Sequence, residues 1–163
     1  DMVDHVREAV TEFGLDPATV ELELTERVAL VDEEATRRTL DGFKKIGTRI
    51  ALDDYGTGYS SASLLATMAF DTLKIDRSFV ARIHQPSRER MVTEAIIGLA
   101  HRMGLTVVAE GVETEEQLEA VTHIGADEVQ GFYFSRPVPA ADAELLVRDG
   151  LSRPDRPVLR TDR

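Results

Sequence analysis

The 163-residue chain has no cysteine. Disulfides and thiolate metal sites are therefore excluded. No apolar run approaches the roughly 18 residues of a membrane span. The opening Asp1-Met2-Val3-Asp4-His5 lacks a basic segment followed by an apolar stretch, so no signal peptide is read there. Basic residues are in deficit: 19 Lys and Arg face 30 Asp and Glu, for a net charge of −11. That balance argues against binding a nucleic-acid polymer through a basic patch. The four histidines, His5, His84, His101 and His123, show no metal spacing and read as surface residues. A cytoplasmic setting without membrane contact by this segment is the expectation.

What is present suffices for a globular core. Apolar residues make up 42% of the chain, and the length suits one domain. The first residue is Asp1, not methionine, and the chain opens in a helical pattern from Met2 to Phe13. A fragment of a longer polypeptide is expected.

One unit recurs along the sequence. A helix ends at a glycine, a short turn follows, and an apolar strand closes on acidic or polar residues. Gly14 leads to Val20–Glu26, Gly47 to Arg49–Asp54, Gly104 to Thr106–Gly111, and Gly125 to Glu128–Gly131. Glycine just past a helix end supplies the left-handed cap. Thr72–Asp76 is a fifth strand without that glycine. Between strands, Met91, Val92, Ala95, Ile96, Leu99, Ala100 and Met103 predict one apolar helix stripe. Leu40, Phe43 and Ile46 mark another helix, and Leu64, Leu65 and Met68 a shorter one. Thr114 with Gln117 predicts a capping box. Alternating strands and helices imply an α/β fold with a parallel sheet. A doubly wound sheet and a (βα)8 barrel both fit. A barrel needs about 200–250 residues, so roughly three strands would be absent from this chain. From Gly150 on, charge and proline without periodicity read as a mobile tail, leaving 1–149 as the domain.

In parallel α/β folds, ligands bind at the C-terminal ends of the strands. Glu23, Glu26, Asp53, Asp54, Lys74, Asp76, Glu110, Glu113 and Gln130 all fall there. Each has a plainer reading alone. A strand-end aspartate can simply cap the next helix, Lys74 can be a structural ion-pair partner, and Glu113 suits a helix first turn. Their joint occurrence on successive strands is what points to chemistry. Crowded like charges need an offset, and hard oxygen ligands suit Mg²⁺ or Mn²⁺ rather than Zn²⁺. Adjacent Asp53 and Asp54 would point to opposite faces of a regular strand. Both can reach one metal only where the strand breaks, and Tyr55-Gly56-Thr57-Gly58-Tyr59-Ser60-Ser61 is read as that break.

Five runs in series carry a resemblance: Glu23-Leu24-Thr25-Glu26, Asp53 to Ser61, Leu73-Lys74-Ile75-Asp76-Arg77-Ser78-Phe79-Val80, Ala109-Glu110-Gly111-Val112-Glu113-Thr114, and Val129-Gln130-Gly131-Phe132 through Pro137. In order and spacing they resemble the motifs of EAL phosphodiesterases, nearly to Pro139. The resemblance implies a TIM-like barrel with one reversed strand, here N-terminally truncated to about five parallel strands. It implies hydrolysis of cyclic di-GMP to the linear dinucleotide pGpG with Mg²⁺ or Mn²⁺, two ions in the complete domain. By motif, Glu23, Asp53, Asp54 and Glu110 carry over as metal ligands. Lys74, Glu110 and Gln130 carry over as catalytic residues, and Glu26 and Glu113 as residues that steady loops. A homodimer through the loop and helix after Asp54 is implied, as is an upstream sensor or GGDEF domain in the parent chain.

The departures from the family pattern are small: Tyr55 for phenylalanine, Ala62 for leucine, and Met68-Ala69 for leucine-proline. The glutamate of the Glu-Ala-Leu motif, a substrate arginine and an asparagine ligand would all lie before Asp1. An isolated fragment is therefore expected to be inactive and poorly stable. The alternative is a catalytically inactive module that binds cyclic di-GMP or a protein partner.

Overall fold

A computed structural model of the chain describes residues 1–56 and 62–149. The strands are β1 (Glu21–Thr25), β2 (Arg49–Tyr55), β3 (Thr72–Ile75), β4 (Thr106–Glu110) and β5 (Glu128–Gln130). The helices are α1 (Met2–Glu12), α2 (Glu26–Ala29), α3 (Glu33–Ile46), α4 (Ala62–Thr67), α5 (Arg77–Val80), α6 (Arg88–Arg102), α7 (Glu115–His123) and α8 (Ala140–Asp149). All five strands are parallel and lie side by side in chain order. A doubly wound sheet needs a reversal of strand order. The described strands show none, so they form an arc of the barrel type rather than a doubly wound sheet. Among the described residues the sheet does not close on itself.

Local chemistry accounts for the boundaries. Asp32 caps α3 by accepting from Ala35 N, and Gly47 ends it in a left-handed conformation, φ 99°. Thr114 and Gln117 close the expected capping box on α7. The tail from Gly150 lies outside the described residues.

Strand alternation sorts the side chains by face. Leu22, Leu24, Ile50, Leu52, Leu73, Ile75 and Val107 turn to one side and join one apolar cluster. Leu40 and Phe43 of α3, Leu64 and Leu65 of α4, and Ile97 and Ala100 of α6 cover it. Val80, Ile83, Ala109, Val112, Ala120 and Val121 make a second cluster. The opposite face carries Glu21, Glu23, Arg49, Asp53, Thr72, Lys74 and Glu110. It is the polar face of the sheet.

The stripe expected on α6 is only partly placed in the core: Ala100 and Ile96 pack there and the rest do not. Met91, Val92, Ala95, Leu99 and Met103 are exposed, while Thr93, Ile97 and Ala100 are buried and Ile96 is half-buried. Apolar residues spread over a broad arc of this helix, from Met91 round to Ile97, so periodicity alone could not choose which part of it is buried. Thr93 can enter the core because its hydroxyl donates to Glu89 O at 2.9 Å within the helix.

Candidate active site

Lys74 sits near the end of β3 with its side chain only 7% exposed. A buried ammonium needs anionic partners. Its Nζ donates to Glu23 Oε1 at 2.6 Å and stands 2.9 Å from Glu110 Oε1 and 3.3 Å from Asp53 Oδ1. Three strands thus deliver carboxylates to one cation. Burial alone would lower the Lys74 pKa. Hydrogen bonds to Glu23 and Glu110, with the charges of Glu110 and Asp53, outweigh it and hold the pKa above the ordinary lysine value.

Asp53 and Asp54 reach this place by a break inside β2 itself. Pairing with β3 shifts register between Leu52 and Tyr55, and Asp54 has φ 56°. An extra residue in one strand is a bulge, which re-aims side chains. Aspartate is among the few residues that tolerate this left-handed conformation. The sequence points to Tyr55 through Ser61 as the break; the bulge already supplies it, and residues 57–61 lie outside the described residues. Ligand atoms of Asp53, Asp54 and Glu110 lie within 4.8 Å of one another.

Crowding shows in the electrostatics. Desolvation raises the Asp54 pKa, and the charges of Asp53 and Asp76 add to it while Lys74 opposes. Desolvation likewise raises Glu110, again against Lys74. Asp53 Oδ1 is buried and accepts no hydrogen bond, with Lys74 Nζ at 3.3 Å the cation beside it. Three converging carboxylates, one with a buried oxygen lacking a donor, fit a hard divalent cation. Glu23 is outside that set of three; it is half exposed and engaged with Lys74.

Other expected residues are placed as follows. Glu26 is 2% exposed, and its Oε2 accepts from Gly56 N at 3.4 Å, just beyond the two aspartates. Gln130 is exposed and pairs in register with Glu110. Glu113 is exposed, and its backbone N donates to Gln117 Oε1 at 2.7 Å. Asp76 accepts from Ser78 N at 2.9 Å as the cap of α5. Burial would raise its pKa, but the Ser78 and Arg77 hydrogen bonds win and hold it below the ordinary value.

Sequence reasoning missed a second polar layer, one step down the strands. Glu21 Oε2 accepts from Thr72 Oγ1 at 2.6 Å and lies 3.2 Å from Arg49 Nε. Arg49 Nη2 donates to Thr72 Oγ1 at 3.0 Å. The available signal was period two: Glu21, Arg49 and Thr72 lie two residues before Glu23, Ala51 and Lys74 on their strands.

Known proteins share this arrangement of strands. The chain is similar to the EAL domain of Mycobacterium smegmatis DcpA, with 43% identity, a TM-score of 0.85, and coverage of 91% of this chain and 66% of that one. A Klebsiella pneumoniae BlrP1 complex with manganese and cyclic di-GMP matches at 34% identity and a TM-score of 0.79, over 83% of this chain and 34% of that one. The cyclic di-GMP phosphodiesterase NbdA of Pseudomonas aeruginosa is 40% identical over 147 residues, which is 90% of this chain and 19% of that protein. The chain spans about a fifth of the length of the curated relatives it matches. A family model for the EAL domain matches residues 1–137. Five parallel strands in sequence, carboxylates gathered at their tips, and this match over most of the chain carry one conclusion: the chain belongs to the EAL domain family.

Proposed function

We propose that the protein carrying this chain is a metal-dependent phosphodiesterase that hydrolyses cyclic di-GMP to linear pGpG. The observation that supports this best is the convergence of Glu23, Asp53 and Glu110 on Lys74 from three strands. NbdA, a relative, is named a cyclic di-GMP phosphodiesterase, and BlrP1 was solved with cyclic di-GMP and manganese.

Glu23, Asp53, Asp54 and Glu110 would hold Mg²⁺ or Mn²⁺, two ions in the complete domain. When bound, such cations neutralise a phosphodiester and lower the pKa of a bound water. Lys74 contributes a fixed positive charge. From its place among Glu23, Asp53 and Glu110 it orients or activates the attacking water. Glu110, its pKa raised by burial and opposed by the charge of Lys74, serves either as a cation ligand or as the group that exchanges a proton with that water. Gln130, in register with Glu110 on the neighbouring strand, would support the water and the cations. Glu26 fixes the backbone after Asp54 through Gly56 N; the loop-steadying role of Glu113 rests on the family motif, since the turn into α7 is held by the Gln117 side chain on Glu113 N and Thr114 N. This arrangement also explains how an acidic protein accepts a dianion without a basic patch.

The family resemblance supports the remaining expectations: a homodimer through the loop and helix after Asp54, an upstream sensor or GGDEF domain, and cytoplasmic placement. No helix among the described residues is long and apolar enough to cross a membrane. The deciding experiment is turnover of cyclic di-GMP by the full-length protein with Mg²⁺ or Mn²⁺, against Asp53→Ala and Glu23→Ala. Loss of pGpG formation in both is expected. Undiminished turnover in either removes the role assigned to that residue, and binding without turnover in the wild type favours an inactive sensor module.

A further inference from the structure

The same two-strand device occurs twice at the end of the sheet opposite the site. Asp71 stands immediately before β3. Its N–H donates to Ile50 O at 2.8 Å, and its Oδ2 accepts from Ile50 N at 2.7 Å. The same oxygen pairs with Lys44 in the last turn of α3. Asp127 stands immediately before β5. Its N–H donates to Val107 O at 3.0 Å, and its Oδ2 accepts from Val107 N at 2.9 Å. His101 Nε2, in the last turn of α6, lies 2.8 Å from that oxygen. The spacings repeat as well. Lys44 and His101 each lie six residues before the strand residue that the aspartate grips.

Three residues forward from each gripped pair stand the site residues. Ile50 and Asp71 lead to Asp53 and Lys74; Val107 and Asp127 lead to Glu110 and Gln130. A slip of one residue in a strand turns every side chain to the other face. A carboxylate that closes a two-point contact with one backbone amide loses it in a slip of one residue, which turns that amide to the other side. It therefore specifies the register at the first rung, before β2 reaches its bulge.

We propose that Asp71 and Asp127 are positioning residues, each fixing the strand register that brings one pair of site residues together. This rests on the reading that Asp53, Lys74, Glu110 and Gln130 form the site. The carboxylate acts through its acceptor oxygen on a backbone amide, and the helix cation only supports it.

The test compares Asp71→Ala with Asp71→Asn in the full-length protein. Asparagine keeps an acceptor for Ile50 N; alanine does not. The readouts are the ¹⁵N resonance of the Lys74 ammonium, the Mn²⁺ dissociation constant, and kcat and KM for cyclic di-GMP. Alanine is expected to shift the Lys74 signal, weaken Mn²⁺ binding about tenfold and lower kcat by about 30-fold, with KM within about threefold. Asparagine is expected to stay within about threefold of wild type on every measure. An alanine variant with lowered melting temperature but a native Lys74 signal and native Mn²⁺ affinity overturns the proposal. So does an asparagine variant as impaired as alanine, since charge rather than register would then be the cause. If Asp71→Ala does not fold, Asp127→Ala against Asp127→Asn gives the same decision through Mn²⁺ affinity at Glu110. A wild type without cyclic di-GMP turnover sinks the phosphodiesterase reading alone; the Lys74 signal still decides this one.

Discussion

Lys74 Nζ lies 2.9 Å from Glu110 Oε1, and both side chains are largely shielded from water. The pair joins β3 to β4 on the polar face, and Glu23 and Asp53 complete its surroundings. Removing the cation leaves acids facing one another. Lys74→Met is expected to destabilise the metal-free protein by about 3 kcal/mol. Turnover should fall about 10³-fold. Chemical denaturation in EDTA and a steady-state assay with Mn²⁺ check both, and a variant equal to wild type in both would remove Lys74 from the site.

The raised pKa of Glu110 has a sign that can be measured. Its folded form holds a proton at pH values where the unfolded form has released it. Without cations, this group's contribution to stability therefore falls as pH rises from the ordinary carboxylate value through the raised one. Asp76, held below its ordinary value, acts in the opposite sense: its contribution is present above the ordinary value and lost as pH falls through the lowered one. The difference between wild type and Glu110→Gln isolates the first effect. Melting curves in EDTA between pH 4 and 7, roughly the carboxylate range, should show the wild type losing ground to Glu110→Gln as pH rises. Cation binding should show the reverse, strengthening with pH as the carboxylates ionise.

Gly111 follows Glu110 with φ 72°, and a Cβ there would stand 2.4 Å from Arg77 Cβ. Both backbone and space require glycine. Gly111→Ala is expected to cost about 2 kcal/mol. Because the strain falls beside a proposed ligand, Mn²⁺ affinity should drop as well. A calorimetric titration and a melt together check this; unchanged values in both would show that the backbone there relaxes freely.

On α6 the two faces can be told apart by substitution. Ile97 is 2% exposed and Met91 70%. Ile97→Ala should cost about 3 kcal/mol, and Met91→Glu within about 0.5 kcal/mol of zero. Equal costs would restore the stripe that periodicity suggested.

That helix shows where sequence reading stops. The strands were legible because each apolar run starts past a glycine and ends on an acid, as Arg49–Asp54 and Thr106–Gly111 do. The acids were legible as a set because parallel strands send their C-terminal ends to one side. The α6 face was not, since Met91 and Leu99 look as core-like as Ile97, and only packing separates them. The bulge at Asp53 and Asp54 was not either, because a left-handed aspartate leaves no mark in composition. The choice between barrel arc and doubly wound sheet depends on strand order, which periodicity does not encode. Asp71 and Asp127 did leave a mark, an aspartate three residues before Lys74 and before Gln130, and it became readable only once the strand starts were known.

Leu73 and Lys74 are chain neighbours with opposite destinations, one in the oily layer beneath the helices and one among acids. Threading β3 one position out of step would press an ammonium into hydrocarbon and set a leucine among carboxylates that have lost their cation. Misfolded copies are thus penalised by the very groups that would do the chemistry. Chains that survive folding are by that fact the ones whose polar groups are correctly aimed, so quality control of the fold doubles as quality control of the candidate site.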